Sequence, residues 1–196
     1  MCIRDRGADH THRGERFERA LTLLPALWAG KTVTDSLWDI HQAVISPLPP
    51  EPIDLWIGAT APVALRRVAK TGHSWLADPG LAIDALIKKR DRYYTECQKL
   101  GQPPAARMTV RRDVHIAESK AESEALRAQL LIRGYRGIDP DALVIATIDE
   151  ACEHFGALAA LGFTDIITRH LHPDPQAAIE SIQRLGEVRT AIKGST

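Results

Sequence analysis

The segment that most constrains the fold runs from Ile53 to Gly72. A short apolar run ends at Gly58, three small residues follow, and Pro62 stands where a helix begins. Proline is tolerated there because the first N–H groups of a helix have no partner within it. The pattern predicts a strand, a tight turn and a helix. Free N–H groups beside small side chains can bind a phosphate or another anion, but a plain connection has the same pattern.

Three further segments predict strands, because they are short and apolar or alternate between apolar and polar residues: 74–77, 108–116 and 164–169. Helical spacing separates them, so successive strands must lie parallel or nearly so. This order predicts an α/β protein. Four such units fit either a small open doubly wound sheet or half of an eight-unit barrel, since a complete barrel needs roughly 250 residues. Spacing alone leaves both alternatives open.

The residues before the central segment carry a weaker pattern. Apolar spacing predicts a helix from Arg13 that stops at Gly30, with Pro25 kinking it or ending it a turn early. Residues 31–52 predict irregular chain with one short strand at Thr32–Thr34.

Two capping boxes mark helix starts in the second half of the chain, Ser119 with Glu122 and Thr147 with Glu150. A last helix opens at Asp174-Pro175. Its apolar spacing predicts three inward residues, Ile179, Ile182 and Leu185.

Composition narrows the class of partner. Twenty-five basic residues match 25 acidic ones, so no net field favours nucleic acid or an anionic membrane, and neither is expected as a partner. Cys2, Cys97 and Cys152 are odd in number and far apart, which predicts reduced thiols in a cytoplasmic protein. No apolar run has the length of a membrane span, and the first residues lack a signal-peptide pattern.

The polar residues predict no metal site. Eight histidines show no zinc-like spacing apart from His10 with His12 and His170 with His172, and both pairs fall in expected loops. His73 precedes a strand, away from the end where barrel chemistry occurs. Arg111 and Asp113 share one face of the third strand of the central sheet, so we expect them to pair with each other or with a neighbour.

Several motifs occur together in a characteristic order. They are the helical run Arg13–Ala20 with Leu27–Gly30, the proline-rich Ser46–Pro49, the strand Pro52–Gly58, and Arg169-His170-Leu171 near the end. In this order they resemble the luciferase-like monooxygenases, a large family of flavin-dependent and deazaflavin-dependent oxidoreductases.

The resemblance extends from about Gly7 to Ile192 and implies the C-terminal half of a (β/α)8 TIM barrel, with four parallel strands and intervening helices. The strands correspond to the family's fifth to eighth. We therefore expect an unstructured start over residues 1–12 and a partial barrel domain over 13–196.

The family's site lies at the C-terminal mouth of the barrel. The resemblance implies that the tail phosphate of FMN or a deazaflavin coenzyme contacts the turn formed by Gly58, Ala59, Thr60 and Ala61. Arg169 and His170 end the last strand, where they would contact substrate or cofactor, although a salt bridge and a solvated ring are the alternatives. No residue is assigned as acid, base or nucleophile.

The function implied is hydride transfer or oxygen activation on a reduced flavin or deazaflavin. Implied partners are a small-molecule substrate and a flavin reductant or NAD(P)H, and a homo-oligomer is left open. Two alternatives remain: a non-catalytic phosphate-binding or interaction module with an open α/β sheet, and a complete small enzyme of flavodoxin type. Because the missing strands would supply the contacts to the flavin ring, we expect this chain alone to bind flavin weakly or not at all, and to be inactive.

Overall fold

A computed structural model describes residues 11–194, and the expectations for the first ten residues lie outside that range. It divides the chain after Asp54 into two compact units. The first contains α1 (Arg13–Trp28), β1 (Val33–Asp35) and β2 (Ile40–Ala43). The second contains β3 (Trp56–Gly58), α2 (Pro62–Thr71), β4 (Ser74–Ala77), α3 (Ile83–Leu100), β5 (Met108–Ile116), α4 (Lys120–Arg133), β6 (Val144–Ala146), α5 (Ile148–Ala160), β7 (Asp165–His170) and α6 (Pro175–Gly194).

The first unit corrects two predictions. The helix α1 does not end a turn early at Pro25 but continues to Trp28, close to the stop expected at Gly30, and the proline's carbonyl accepts a 3.0 Å hydrogen bond from the N–H of Ala29. In residues 31–52, the short strand expected at Thr32–Thr34 is present as β1, but a second strand, β2, was missed and pairs antiparallel with it to form a hairpin. The buried Asp35 supports its turn by accepting from the N–H of Trp38 at 3.1 Å and by pairing with Arg19 of α1.

The second unit is a parallel sheet whose main strands follow one another in chain order, β3-β4-β5-β7. A doubly wound sheet reverses its strand order at a switch point, whereas a barrel adds each strand beside the last. The observed order fits a barrel and equally fits one half of a doubly wound sheet, because the strands of each such half also follow one another in order. Parallel pairing, the four strands and their helices agree with the sequence-based prediction.

One strand was missed by the sequence analysis. The three-residue β6 pairs with residues 114–116 of β5. One edge of β5 pairs with β7 along residues 109–114. The other edge pairs with two strands in succession, with β4 at residues 108–110 and with β6 at residues 114–116. On that shared edge no described strand pairs with residues 111–113. Val144 to Ala146 is too short and too uniformly apolar to show a strand period.

The last helix packs differently from the prediction. Ile179 and Ile182 are half exposed, while Ser181 and Val188 are buried. Ser181 is small enough for α6 to approach β5 closely, and its hydroxyl accepts from the N–H of Ile116 at 2.7 Å. A buried hydroxyl at the contact shifts the inward face of the helix, which apolar spacing cannot reveal.

Candidate functional site at the strand ends

The two faces of the sheet have different neighbours. Side chains alternate along a strand, and paired positions of parallel strands share a face. The Trp75 ring lies 5.2 Å from that of Tyr93 in α3, so its face is covered by helices. Trp75 pairs with Met108, which places Val110 and Arg112 on the same face. Gly58, Leu76, Arg111 and Ile167 then lie on the opposite face.

A pocket of about 310 Å³ opens on this opposite face, at the carboxyl ends of β3 and β4. Its wall includes residues 58–60 of the turn after β3, residues 77–79 after β4, and the side chains of Arg111 and Ile167. The structure therefore brings three of the four predicted turn residues into one cavity. The fourth, Ala61, directly precedes α2 with an extended backbone.

The turn after β3 is fixed by its neighbours. The Ala59 carbonyl accepts from Trp75 Nε1 at 2.9 Å, and the Ala59 N–H donates to the carbonyl of Leu76 at 3.3 Å. The backbone of Ala59 does not have a positive φ, a conformation that only three described non-glycine residues adopt, Asp39, Gln42 and Arg136. The tight turn therefore needs no glycine at this position. Gly58 is also unconstrained, because a Cβ there would meet nothing within 4 Å.

Asp78 gives the pocket a carboxylate whose oxygens are already engaged. Oδ1 accepts from the N–H of Gly80 at 2.8 Å, and Oδ2 accepts from the Thr60 hydroxyl at 3.4 Å. Behind it lies Arg112, fully buried, which donates to the carbonyls of Pro79 at 3.4 Å and Arg111 at 3.3 Å. Burial lowers the pKa of Arg112 to about 10, and the charge of Asp78 opposes that shift. Arg112 therefore stays protonated at neutral pH.

Asp113 is the second buried carboxylate of this region. Its side chain has no exposed surface and contacts two guanidinium groups. Arg169 donates to it through Nη2, and Arg111 Nε lies 3.3 Å from Oδ1, which confirms the pairing expected for Arg111 and Asp113. The same Nη2 of Arg169 donates to the Tyr135 hydroxyl at 3.0 Å.

The two residues predicted to contact substrate or cofactor, Arg169 and His170, do not join the residues of the turn after β3 in the pocket. Arg169 ends β7, as predicted, but Asp113 and Tyr135 engage it, so of the two alternatives the salt bridge is observed. His170 shares the helix-covered face with Val114, its strand partner. Burial lowers the pKa of His170, and the nearby His115 adds to that shift. Neither residue lines the pocket.

Sequence reasoning missed Arg111 and Asp78 as pocket residues. Asp78 opens an Asp-Pro-Gly turn directly after a strand, a signal that was present. His73 precedes β4 at the end away from the pocket, as predicted. Over residues 11–194, no group of three histidine, cysteine or acidic residues is arranged for a metal ion. No helix within that range is long and apolar enough to cross a membrane.

Comparison with known proteins decides the family. The family model described as luciferase-like monooxygenase matches residues 3–186. The chain belongs to this family. The F420-dependent glucose-6-phosphate dehydrogenase of Beutenbergia cavernae is 30% identical to this luciferase-like chain over 155 residues, which are 77% of the chain and 39% of that relative. The chain thus spans well under half the length of this curated relative.

Two solved structures show that the luciferase-like fold is shared. An F420-dependent secondary alcohol dehydrogenase, solved with an F420-acetone adduct, superposes with a TM-score of 0.66 at 16% identity, covering 94% of this chain and 63% of its own. A structure titled Flavoprotein 390 superposes with a TM-score of 0.57 at 12% identity, covering 96% of this chain and 94% of its own. The second comparison shows this fold in a chain of similar length.

Proposed function

We propose that this luciferase-like chain binds the phosphate-bearing tail of a deazaflavin or flavin and serves an oxidoreductase that transfers hydride. The pocket at the carboxyl ends of β3 and β4 carries the proposal. Ligands of barrels and open α/β sheets bind at this end of the strands, where the loops are free to vary. The chain covers 39% of its curated relative, so the activity is proposed for the barrel as a whole, with the chain as its C-terminal half.

The residues present fit a phosphate group. The small side chains of the turn after β3 let an anion approach the start of α2. Pro62 has no N–H there and the N–H of Ala64 donates to the carbonyl of Ala61, so the N–H of Val63 is the helical donor left for an anion. Arg111 adds a guanidinium to the same wall. The only carboxylate in that wall, Asp78, already accepts hydrogen bonds from Thr60 and Gly80.

A deazaflavin is the cofactor that the relatives favour. The curated relative at 30% identity is F420-dependent by name. Such a cofactor supplies the hydride chemistry, while the protein binds it, orients the substrate and excludes water. In this chain the turn after β3 would fix the tail, and Arg111 would neutralise its charge. FMN with oxygen activation is the alternative within the family.

A titration with matched ligands tests this proposal. FMN and riboflavin differ in the phosphate alone, and so do phosphorylated and dephosphorylated forms of a deazaflavin. We expect weak binding by this chain, with the phosphorylated ligand about tenfold tighter, a difference of roughly 1.4 kcal/mol. Flavin or deazaflavin fluorescence reports both affinities. Equal affinities, or a tight complex with riboflavin, would contradict a phosphate site.

A pocket-filling variant locates the site. Gly58→Val places a branched side chain on the pocket wall, in a strand position that tolerates it. It should remove the preference for the phosphorylated ligand. Gly156→Ala on α5 is the control, because its added Cβ also meets nothing within 4 Å and lies outside the pocket.

A non-catalytic flavin-binding module is the second candidate. The observation behind it is that the fold occurs at a similar length in the solved Flavoprotein 390 structure, whose chain this one covers to 94%. Both candidates predict phosphate-dependent binding, so turnover separates them. Oxidation of a reduced deazaflavin or flavin by the chain, above the rate without protein, would favour the enzyme. A stable monomer that binds the cofactor without turnover would favour the module.

A further inference from the structure

The charged side chains around the pocket do not cancel. On the face that carries the pocket, Arg111 and Arg169 both contact the carboxylate of Asp113, whereas Arg112, on the helix-covered face, interacts with the charge of Asp78. One carboxylate cannot neutralise two guanidinium groups, so the cluster of Arg111, Arg169 and Asp113 carries one surplus positive charge. A surplus charge in a partly buried wall is costly unless solvent or a ligand anion reaches it.

The contacts show which arginine carries the surplus. Arg112 is fully buried and donates to two backbone carbonyls, so it cannot reach a ligand. Arg169 uses one nitrogen for both Asp113 and Tyr135 and lies outside the pocket wall. Arg111 lines the pocket with 33% of its side chain exposed. Its polar contact in the described chain is the ion pair with Asp113, in which its Nε lacks hydrogen-bond geometry.

The position of Arg111 on β5 places it beside an open stretch of the sheet edge. It is the first of the three residues, 111–113, that lack a strand partner on the edge shared by β4 and β6. Residues 77–79 of the turn after β4 line the same pocket as Arg111, so the pocket opens beside a part of β5 with which no described strand pairs on that edge. The guanidinium is therefore anchored at its base by Asp113 and free at its tip.

We propose that Arg111 determines ligand selection at this pocket by binding a phosphate group through its guanidinium, with Asp113 as the residue that positions it. A guanidinium offers two parallel N–H donors to a phosphate, which a lysine cannot reproduce. The assignment of phosphate rests on the proposed function. The phosphate belongs either to the cofactor tail or to a phosphorylated substrate, and the chemistry at Arg111 is the same for both.

Two arginine substitutions form a matched pair. Arg111→Met and Arg169→Met each remove one of the two guanidinium groups on Asp113, and the two side chains are 33% and 34% exposed. Both lower the charge of the cluster by one. Binding of inorganic phosphate, measured by titration calorimetry, should weaken at least tenfold in Arg111→Met and no more than about threefold in Arg169→Met. Arg111→Lys should keep an intermediate affinity.

The outcomes distinguish a direct contact between Arg111 and phosphate from the general effect of positive charge. Equal weakening in both methionine variants would show that net charge alone matters, and it would overturn the role of Arg111. Unchanged binding in Arg111→Met, or no phosphate binding by the unaltered chain at millimolar concentrations, would also overturn it. Thermal unfolding of each variant shows whether it is folded. If Arg111→Met does not fold, protection of Arg111 by phosphate against phenylglyoxal, mapped by mass spectrometry in the unaltered chain, decides the question.

A second arm identifies the source of the phosphate. If it belongs to the cofactor, Arg111→Met lowers the affinity for FMN but not for riboflavin. If it belongs to the substrate, a sugar phosphate displaces inorganic phosphate, and FMN and riboflavin bind alike in both proteins. Both results support Arg111 as the phosphate-binding residue. The second result would contradict the proposed cofactor-tail site, so the two proposals can fail separately.

Discussion

The two faces of the central sheet are built from the same strands but are packed differently, one with apolar side chains against helices and the other with paired charges. On the helix-covered face, Trp75, Val110 and Val114 are fully buried, and the Trp75 ring lies 5.9 Å from that of Phe163. On the opposite face, Asp113 is equally buried but is surrounded by guanidinium groups. Apolar burial specifies a βα fold in general. Buried charge costs free energy, so the paired charges of Arg111, Asp113 and Arg169 mark where a function can have shaped the sequence. The fully buried Arg112 of the helix-covered face is instead satisfied by two backbone carbonyls.

The largest effect should come from the helix-covered face. Trp75→Ala removes a fully buried ring that contacts Tyr93 and Phe163, and it should cost about 4 kcal/mol of unfolding free energy. Trp75→Phe keeps most of the packing but leaves the Ala59 carbonyl without its donor, at a cost of about 1–2 kcal/mol. Urea denaturation measures both. Similar losses in the two variants would show that the hydrogen bond, not the packing, dominates.

The opposite face should show a smaller loss with another origin. Asp113→Asn leaves Arg111 and Arg169 without a carboxylate, and because both are about one-third exposed we expect a loss of only about 2 kcal/mol. High salt should weaken the unaltered chain more than the variant, since only the former has these ion pairs. A stability equal to that of the unaltered chain would show that the cluster is maintained for ligand binding alone.

The sequence revealed the helix-covered face better than the opposite face. Apolar runs and helical spacing located β3, β4, β5 and β7, since each buries a periodic set of side chains. They could not locate β6, and they did not show that Arg111 and Asp78 line one pocket. Their shared pocket depends on the register of β4 against β5 and on the unpaired edge of residues 111–113. Strand register is set by long-range packing, which leaves no local signal.

One group on the helix-covered side gives that face a pH dependence. Burial lowers the pKa of His154 to about 4, and the charges of Arg112 and Arg127 add to the shift. The folded chain thus favours the neutral ring, so its contribution is complete above the unfolded pKa of about 6.5 and is lost as pH falls toward 4. Partial exposure reduces the expected loss to about 1–2 kcal/mol.

His154→Gln isolates this contribution, because glutamine does not titrate in that range. Stability of the variant, followed by denaturation between pH 7 and pH 4, should fall less than that of the unaltered chain. The acidic groups that also titrate near pH 4 are common to both proteins. An identical pH profile for the two would show that His154 is solvated in the native state.

The smallest expected changes in stability concern two glycines, Gly72 and Gly58. Gly72 ends α2 with φ +69°, so Gly72→Ala should cost about 1 kcal/mol through backbone strain. Gly58 has no such requirement, and its added Cβ would meet nothing within 4 Å. Gly58→Ala should therefore change stability by less than about 0.5 kcal/mol. A large loss at Gly58 would mean that the pocket wall is closer-packed than the structure shows.

The strand β5 has neighbours on both edges, whereas β3 and β7 each pair on one edge within the described chain. Amide protons held inside a sheet exchange with deuterium only when the surrounding sheet opens. The amides of β5 should therefore be the last in the second unit to exchange, at a rate set by its global unfolding. Amides of residues 111–113 that face the unpaired edge should exchange earlier. The pocket wall would then be the least protected part of an otherwise stable strand.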